Sequence, residues 1–117
     1  MSMKAIVRQI DSVTIVDVSG RITLGEGCTQ LRELIREQLN KGNKSILLNL
    51  GDVSYIDSSG IGELVSSYTA VSNQGGSLKL LNLTKKVQDL LQITKLYTIF
   101  DVHDDEARAI TSFSASA

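Results

Sequence analysis

The residues of this chain that are best suited to chemistry lie in one short segment, residues 55–62, centred on Asp57-Ser58-Ser59-Gly60. A serine hydroxyl can act as a nucleophile or accept a phosphoryl group, and aspartate and serine are also common caps of a first helical turn. The segment is followed by apolar residues at helical spacing, which indicates a helix that begins near Ser58. These residues are Ile61, Leu64, Val65, Tyr68 and Val71.

A phosphate on Ser58 would suit this predicted position. The first turn of a helix has unpaired backbone N–H groups and the positive end of the helix dipole, so a negative group is tolerated there without unfolding the helix. Gly60 and Gly62 are unfavourable helix residues, and we expect them to allow the close approach of a partner backbone or a phosphate. Capping by Asp57, Ser58 or Ser59 explains the same residues, so the motif by itself leaves both interpretations open.

The elements before this segment are a hairpin and an amphipathic helix. Residues 5–7 and 13–18 are rich in β-branched side chains and are separated by Asp11-Ser12, which predicts two antiparallel strands. A helix that ends near Gly42 follows, because apolar residues recur at three- and four-residue steps. They are Leu24, Cys28, Leu31, Ile35 and Leu39.

Strands and helices alternate in the rest of the chain. Residues 46–50 predict a central strand buried on both faces, 78–81 another strand, and 99–102 a last strand, with one helix capped by Thr84 and one beginning at 104–106. The order β-β-α-β-α-β-α-β-α predicts a single α/β domain over residues 1–117, with a mixed sheet and about four helices. We expect residues 112–117 to form a frayed tail.

Composition restricts the classes of function. The 117 residues include 12 basic and 13 acidic ones, giving a net charge of -1, so we expect no direct binding to nucleic acid or to a membrane surface. No apolar run is long enough to span a bilayer, which predicts a cytoplasmic protein. The single cysteine, Cys28, is expected to be a buried apolar residue. We predict no metal, no cofactor, and a monomer or a weak dimer.

Several segments together resemble the anti-sigma factor antagonist family, the STAS domain, over nearly the whole chain. They are Leu48-Asn49-Leu50, Val53, Ile56-Asp57-Ser58-Ser59-Gly60-Ile61-Gly62 and Gly75-Gly76. In that family the first serine after the aspartate is the phosphorylation site, which corresponds to Ser58. The resemblance implies a non-enzymatic protein that binds an anti-sigma factor, itself a serine kinase, and thereby releases a sigma factor. Phosphorylation of Ser58 would end the complex, and a serine phosphatase would restore it.

The resemblance also implies the residues of a partner surface. Asp57 would shape the loop, Ser59 and Gly60 the helix start, and Ile61 with Gly62 the adjoining contact surface. Many relatives have an aspartate after the second strand that meets the partner, and here Thr23 occupies that place. Arg21 or Glu26 could set partner specificity instead, unless this stretch is only a solvated loop.

Two other readings of the chain remain open at this stage. The domain could be a scaffold or sensor component of a larger signalling assembly, with Ser58 serving only as a cap. It could also be a small hydrolase or nucleotide-binding enzyme, although nothing in the order of the elements brings His103, the single histidine, to Ser58. The acidic residues around His103 are explained better by helix capping than by metal binding.

Overall fold

The fold was analysed in a computed structural model that describes residues 3–115. It is one α/β domain with a five-stranded sheet and four α-helices, in the predicted order. A short 3-10 turn, Tyr97–Ile99, precedes the last strand. The strands are β1 (Met3–Ile10), β2 (Val13–Ile22), β3 (Ser45–Ile56), β4 (Ser77–Leu81) and β5 (Val102–His103). The helices are α1 (Glu26–Asn40), α2 (Ser58–Asn73), α3 (Lys85–Ile93) and α4 (Glu106–Ala115).

The strands follow one another across the sheet in chain order, which makes β3 the central strand. The β1–β2 pair is antiparallel and the other pairs are parallel, as the sequence predicted. The carboxyl ends of β2, β3 and β4 therefore meet at one edge of the sheet, and the loops that lead into α1, α2 and α3 leave from that edge. Ligands and partners of such sheets usually bind at this edge.

Apolar side chains cover both faces of the sheet, which explains the continuous apolar run of β3. Ile46, Leu48 and Leu50 belong to the main core, whereas Leu47 belongs to a smaller cluster that includes Phe113 of α4. Successive strand residues point to opposite faces, so α1, α2 and α3 cover one face and α4 packs on the other. The serine segment lies at the start of α2, which contacts both α1 and α3.

Salt bridges also hold α4 against the sheet. Arg8 of β1 contacts both Asp17 of β2 and Glu106 of α4. Lys79, buried in β4, donates to Ser112 at 2.9 Å and lies 3.2 Å from Asp101. Residues 112–115 were expected to fray, but they form the end of α4, because Phe113 is buried against the sheet. Residues 116 and 117 of that expected tail lie outside the described range.

Several predicted boundaries were wrong. The strands predicted at residues 5–7 and 13–18 are longer in the structure and span Met3–Ile10 and Val13–Ile22. Leu24 fits the helical spacing but precedes α1 and is 78 % exposed, because Gly25 with its φ of 98° turns the chain before the helix begins. The predicted 46–50 strand continues to Ile56, since an irregular register lets the polar residues after Gly51 still pair with β2. The predicted 99–102 strand is reduced to two residues, because the chain up to Ile99 forms the 3-10 turn.

Candidate functional site

Asp57 links the start of α2 to the loop that precedes α1. Its backbone is extended, and its carboxylate oxygen Oδ1 accepts the N–H of Gly60 at 2.8 Å, which is the geometry of a helix cap. The other oxygen, Oδ2, accepts the N–H of Leu24 at 3.1 Å. The Asp57 N–H in turn donates to the carbonyl oxygen of Ile22 at 3.4 Å. One side chain therefore fixes both loops at this edge of the sheet.

These contacts favour the ionised form of Asp57. Partial burial opposes the charge, but the N–H donors of Gly60 and Leu24 outweigh it, and together they place the pKa of the carboxyl below its ordinary value. The aspartate is therefore a negative acceptor at neutral pH, with both oxygens in use. It acts as a structural element of the site and leaves the neighbouring serines without a capping role.

Ser58 is the first residue of α2, and its side chain is exposed. Within residues 3–115 its hydroxyl has no hydrogen-bond partner. The hydroxyl stands at the positive end of the helix, where the dipole favours a negative group. Ser59, the next residue, is half-buried. The two serines are thus distinguished by accessibility, and Ser58 is the one that a modifying enzyme can reach without opening the fold.

The two glycines of the first turn differ from each other. A Cβ atom on Gly60 would lie 2.2 Å from the carbonyl oxygen of Ile22 and 2.6 Å from Ile56, so the close approach that we expected is made by β2 and β3. The expectation that Gly60 leaves room for a partner was therefore wrong. A Cβ atom on Gly62 would meet nothing within 4 Å, and this exposed glycine leaves open space beside Ser58.

The remaining predicted site residues divide into buried and exposed ones. Ile61 is 1 % exposed and packs in the main core, so it cannot form the predicted contact surface. Thr23 is half-buried, and its carbonyl oxygen accepts the N–H of Cys28 at 3.2 Å. Arg21 and Glu26 are exposed on either side of this loop. The exposed part of the predicted site thus consists of Ser58, Gly62, Arg21 and Glu26.

Tyr55 and Lys86 belong to the same surface, although the sequence analysis gave neither of them a role. The guanidinium carbon of Arg21 lies 4.8 Å from the centre of the Tyr55 ring, and the Lys86 Nζ lies 4.9 Å from the same centre. The parallel pairing of Arg21 with Tyr55 is the cause of the first contact. Leu24 adds an exposed apolar side chain to this edge. The side-by-side position of Arg21 and Tyr55 depends on the register of β2 against β3, which the sequence pattern does not give.

His103 lies in a different part of the molecule. Its Nε2 is 3.1 Å from Asp101 and 3.5 Å from the hydroxyl of Ser112. In a hydrolytic triad the serine and the carboxylate contact opposite nitrogens of the imidazole, whereas here both contact the same nitrogen. The Ser112 hydroxyl is also used, because it donates to the carbonyl oxygen of Ala109 at 2.6 Å. These contacts describe a structural cluster beneath α4.

The structure of residues 3–115 also bears on metal binding, membrane spanning and thiol reactivity. Within that range no group of histidine, cysteine and acidic residues is arranged to hold a metal ion, and none of the helices has the length and apolar character needed to cross a bilayer. Cys28 is buried, and its burial raises the pKa of the thiol above the ordinary value, which suppresses its thiolate form.

The family model of the STAS domain matches residues 4–109 of the chain. The anti-sigma-B factor antagonist of Bacillus subtilis is 35 % identical over 102 residues, which cover 87 % of this chain and 92 % of that protein. The crystal structure of a candidate anti-sigma factor antagonist from Thermotoga maritima superposes with a TM-score of 0.86 and 27 % identity, covering 94 % of each chain. SpoIIAA in its phosphorylated form shares the fold, with a TM-score of 0.73 and 20 % identity over 93 % of this chain and 98 % of that one.

Proposed function

The chain belongs to the STAS domain family, and we propose that it is an anti-sigma factor antagonist whose binding is switched off by phosphorylation of Ser58. The antagonist function is supported by the relative from Bacillus subtilis, which is similar over almost its whole length. The choice of Ser58 is supported by one observation above all. Asp57 supplies the cap of α2, which leaves the exposed Ser58 hydroxyl without an internal role in the described part of the chain.

In the proposed cycle the unmodified chain binds an anti-sigma factor and so releases the sigma factor. The bound anti-sigma factor acts as a serine kinase. The Ser58 hydroxyl oxygen attacks the γ-phosphorus of ATP, the bond from that phosphorus to the bridging oxygen of ADP breaks, and the serine proton passes to a base of the kinase. A phosphatase later uses water to release inorganic phosphate and restore the hydroxyl. The chain is the substrate in both steps, and we propose no catalytic role for it.

The geometry explains why such a modification would change binding without unfolding the domain. Phosphorylation adds about two negative charges. At the first residue of α2 these charges face the unpaired N–H groups and the positive end of the helix, so the helix start is not weakened. The exposed Ser58 is part of the surface that a partner would contact, and the added charge changes that surface directly. Because the proposed partners control transcription, we place the protein in the cytoplasm.

The proposal is tested first by capture from an extract and then with purified components. The Ser58→Ala variant should retain the anti-sigma factor from an extract of the host, because the complex cannot be ended by phosphorylation. The purified anti-sigma factor and ATP should then add one phosphoryl group to the wild-type chain, read by intact mass, and none to Ser58→Ala. Ser59→Ala is the matched control, since it removes the half-buried neighbouring hydroxyl, and it should be modified like the wild type.

The affinity measurement completes this test. Ser58→Asp should bind the anti-sigma factor at least about tenfold more weakly than Ser58→Ala, because a negative side chain imitates part of the phosphate charge. Equal binding of the two variants, or a wild-type chain that stays unmodified, would show that Ser58 is not the switch. A constitutive scaffold, in which Ser58 serves only as a helix cap, would give such a result. In the structure, however, Asp57 is the residue that caps α2.

A further inference from the structure

A cationic patch lies at the same edge of the sheet as Ser58. It is formed by Arg21 at the end of β2, Tyr55 near the end of β3 and Lys86 in the first turn of α3. The two cations flank the Tyr55 ring at 4.8 and 4.9 Å from its centre. The ring is 37 % exposed, so the patch is open to solvent. Contacts of cations with an aromatic face hold long side chains in place at a modest entropic cost.

Both positive charges of the patch are available to a partner. Lys85, the neighbour of Lys86, forms an ion pair with Asp89 at 3.1 Å. Among residues 3–115, neither Arg21 nor Lys86 lies within salt-bridge distance of a carboxylate. Lysine is also disfavoured at the positive end of a helix, so Lys86 is not placed there to stabilise α3. A role in binding a negative group explains its position better.

The patch is close to Ser58 along the chain. Two residues, Ile56 and Asp57, lie between Tyr55 and Ser58, so the Cα atoms of Tyr55 and Ser58 are at most about 10 Å apart. The Debye length at 0.1 M ionic strength is also about 10 Å, so a charge on Ser58 contributes to the electrostatic potential near Tyr55. The Asp57 carboxylate also lies here, but it is engaged by the N–H groups of Gly60 and Leu24.

We propose that Arg21, Tyr55 and Lys86 form the docking surface for an acidic segment of the anti-sigma factor, an inference that rests on the function proposed above. Charge complementarity identifies the occupant, because among residues 3–115 the two cations have no carboxylate partner and flank a partly exposed aromatic ring. The exposed side chain of Leu24 adds apolar contact at the same edge. The absence of a charge at Thr23 is consistent with this surface, since recognition is then carried by positive residues.

The same patch gives phosphorylation a direct effect on binding. Arg21 and Lys86 place two positive charges at this edge of the sheet, and the negative charges of Asp57 and Glu26 balance them before modification. A phosphate at Ser58 adds about two negative charges, which makes the region net negative. An acidic segment attracted before modification is therefore repelled after it. Arg21 and Lys86 attract the acidic segment, and the phosphate on Ser58 opposes that attraction.

The test neutralises the patch without touching Ser58. The double variant Arg21→Gln/Lys86→Gln should bind the purified anti-sigma factor about tenfold more weakly than the wild type at 0.1 M salt, and its affinity should depend less on salt. Arg36→Gln/Lys44→Gln is the matched control, because it removes one arginine and one lysine that are also exposed but lie away from this edge. It should bind within about twofold of the wild type.

A second measurement uses a defined probe and does not depend on the partner. Octaglutamate added to the isotopically labelled full chain should shift the amide signals of Arg21, Tyr55 and Lys86, and octalysine should leave them in place. The shifts should be lost in Arg21→Gln/Lys86→Gln and weakened in Ser58→Asp. If octaglutamate instead shifts lysine signals over the whole surface equally, the patch is not a specific acidic site and the inference is overturned.

The outcomes separate this inference from the proposed function. If Ser58 is phosphorylated and Ser58→Asp loses the anti-sigma factor while Arg21→Gln/Lys86→Gln binds like the wild type, the function stands and the patch inference is wrong. If octaglutamate binds the patch but Ser58 is never modified, the acidic docking surface stands and the proposed switch is wrong. Binding of a short single-stranded DNA equal to that of octaglutamate would also overturn the acidic-protein assignment.

Discussion

Helices α2 and α3 begin at the same edge of the sheet, and the caps of their first turns make different contacts. α2 is capped by Asp57, which also holds the β2–α1 loop through Leu24. α3 is capped by Thr84, whose hydroxyl accepts the N–H of Val87 at 3.3 Å and, among residues 3–115, makes no hydrogen bond outside its own turn. The first cap is therefore part of a tertiary junction, whereas the second is local.

The residues that follow the two caps show what this difference means. After Asp57 the chain continues with the small, uncharged Ser58, which leaves the positive end of α2 open to a negative group. After Thr84 it continues with Lys85 and Lys86, which oppose the dipole of α3. Lys85 pairs with Asp89 of the same helix, and Lys86 lies over the ring of Tyr55 in β3. The start of α2 can accommodate a negative charge, whereas the start of α3 carries two positive side chains. The following four variants test this comparison in order of decreasing effect on stability.

Gly60→Ala should cause the largest loss, about 3 kcal/mol of unfolding free energy, because the new methyl group would overlap the backbone of Ile22, which cannot move without disturbing β2. Urea unfolding followed by circular dichroism measures the effect. Gly62→Ala is the control, since its Cβ enters open space, and it should stabilise the protein by up to about 1 kcal/mol through helix propensity. Equal losses in both variants would contradict the assignment of Gly60 to the junction.

Asp57→Ala should cost about 2 kcal/mol, because it removes the cap of α2 and the bond to Leu24 together. The effect should depend on pH. The folded-state pKa lies below the ordinary 3.8, so the stabilisation is complete above about pH 5 and is lost as the pH falls through the folded pKa. Urea unfolding in a series from pH 7 downwards should therefore show a difference between wild type and Asp57→Ala that is largest at pH 7 and shrinks as the carboxylate becomes protonated. A difference independent of pH would mean that the charge of Asp57 does not matter.

Thr84→Ala should cost about 1 kcal/mol or less, because this cap is a single long bond within its own turn. The same urea measurement applies, and the loss should be smaller than that of Asp57→Ala. Thr29→Ala serves as the control, as an exposed threonine inside α1 whose replacement improves helix propensity by a few tenths of a kcal/mol. A loss at Thr84 as large as that at Asp57 would remove the distinction between the two caps.

Ser58→Asp should have the smallest effect on stability, a gain of about 0.5 kcal/mol, because the new charge faces the positive end of α2. Ser72→Asp is the control, since it places the same charge on an exposed serine near the negative end of that helix, and it should destabilise by a similar amount. Thermal unfolding at low salt resolves the two directions. A clear loss in Ser58→Asp would show that this position does not tolerate a phosphate-like charge.

Much of the fold was predictable because short-range patterns produced it. The order of strands and helices, the central place of β3, and the starts of α2 and α3 agree with the sequence analysis. Boundaries were wrong where the pattern and the tertiary contacts disagreed. Leu24 has helical spacing but is turned outward by Gly25, and the segment after Gly51 is polar yet stays in the sheet because β2 pairs with it. The tail to Ala115 is helical because Phe113 is buried by distant strands.

The sequence by itself determined where the serine segment falls, since a strand, a cap and helical spacing are local properties. It did not determine which of Asp57, Ser58 and Ser59 is the cap, because all three residues have the necessary side chains. The tertiary structure decided this, since Asp57 reaches both Gly60 and the distant Leu24. It also decided that Gly60 serves the packing against β2, and that Arg21 and Lys86 meet at Tyr55. Contacts between residues far apart in the chain depend on strand register and helix docking, which no local pattern encodes.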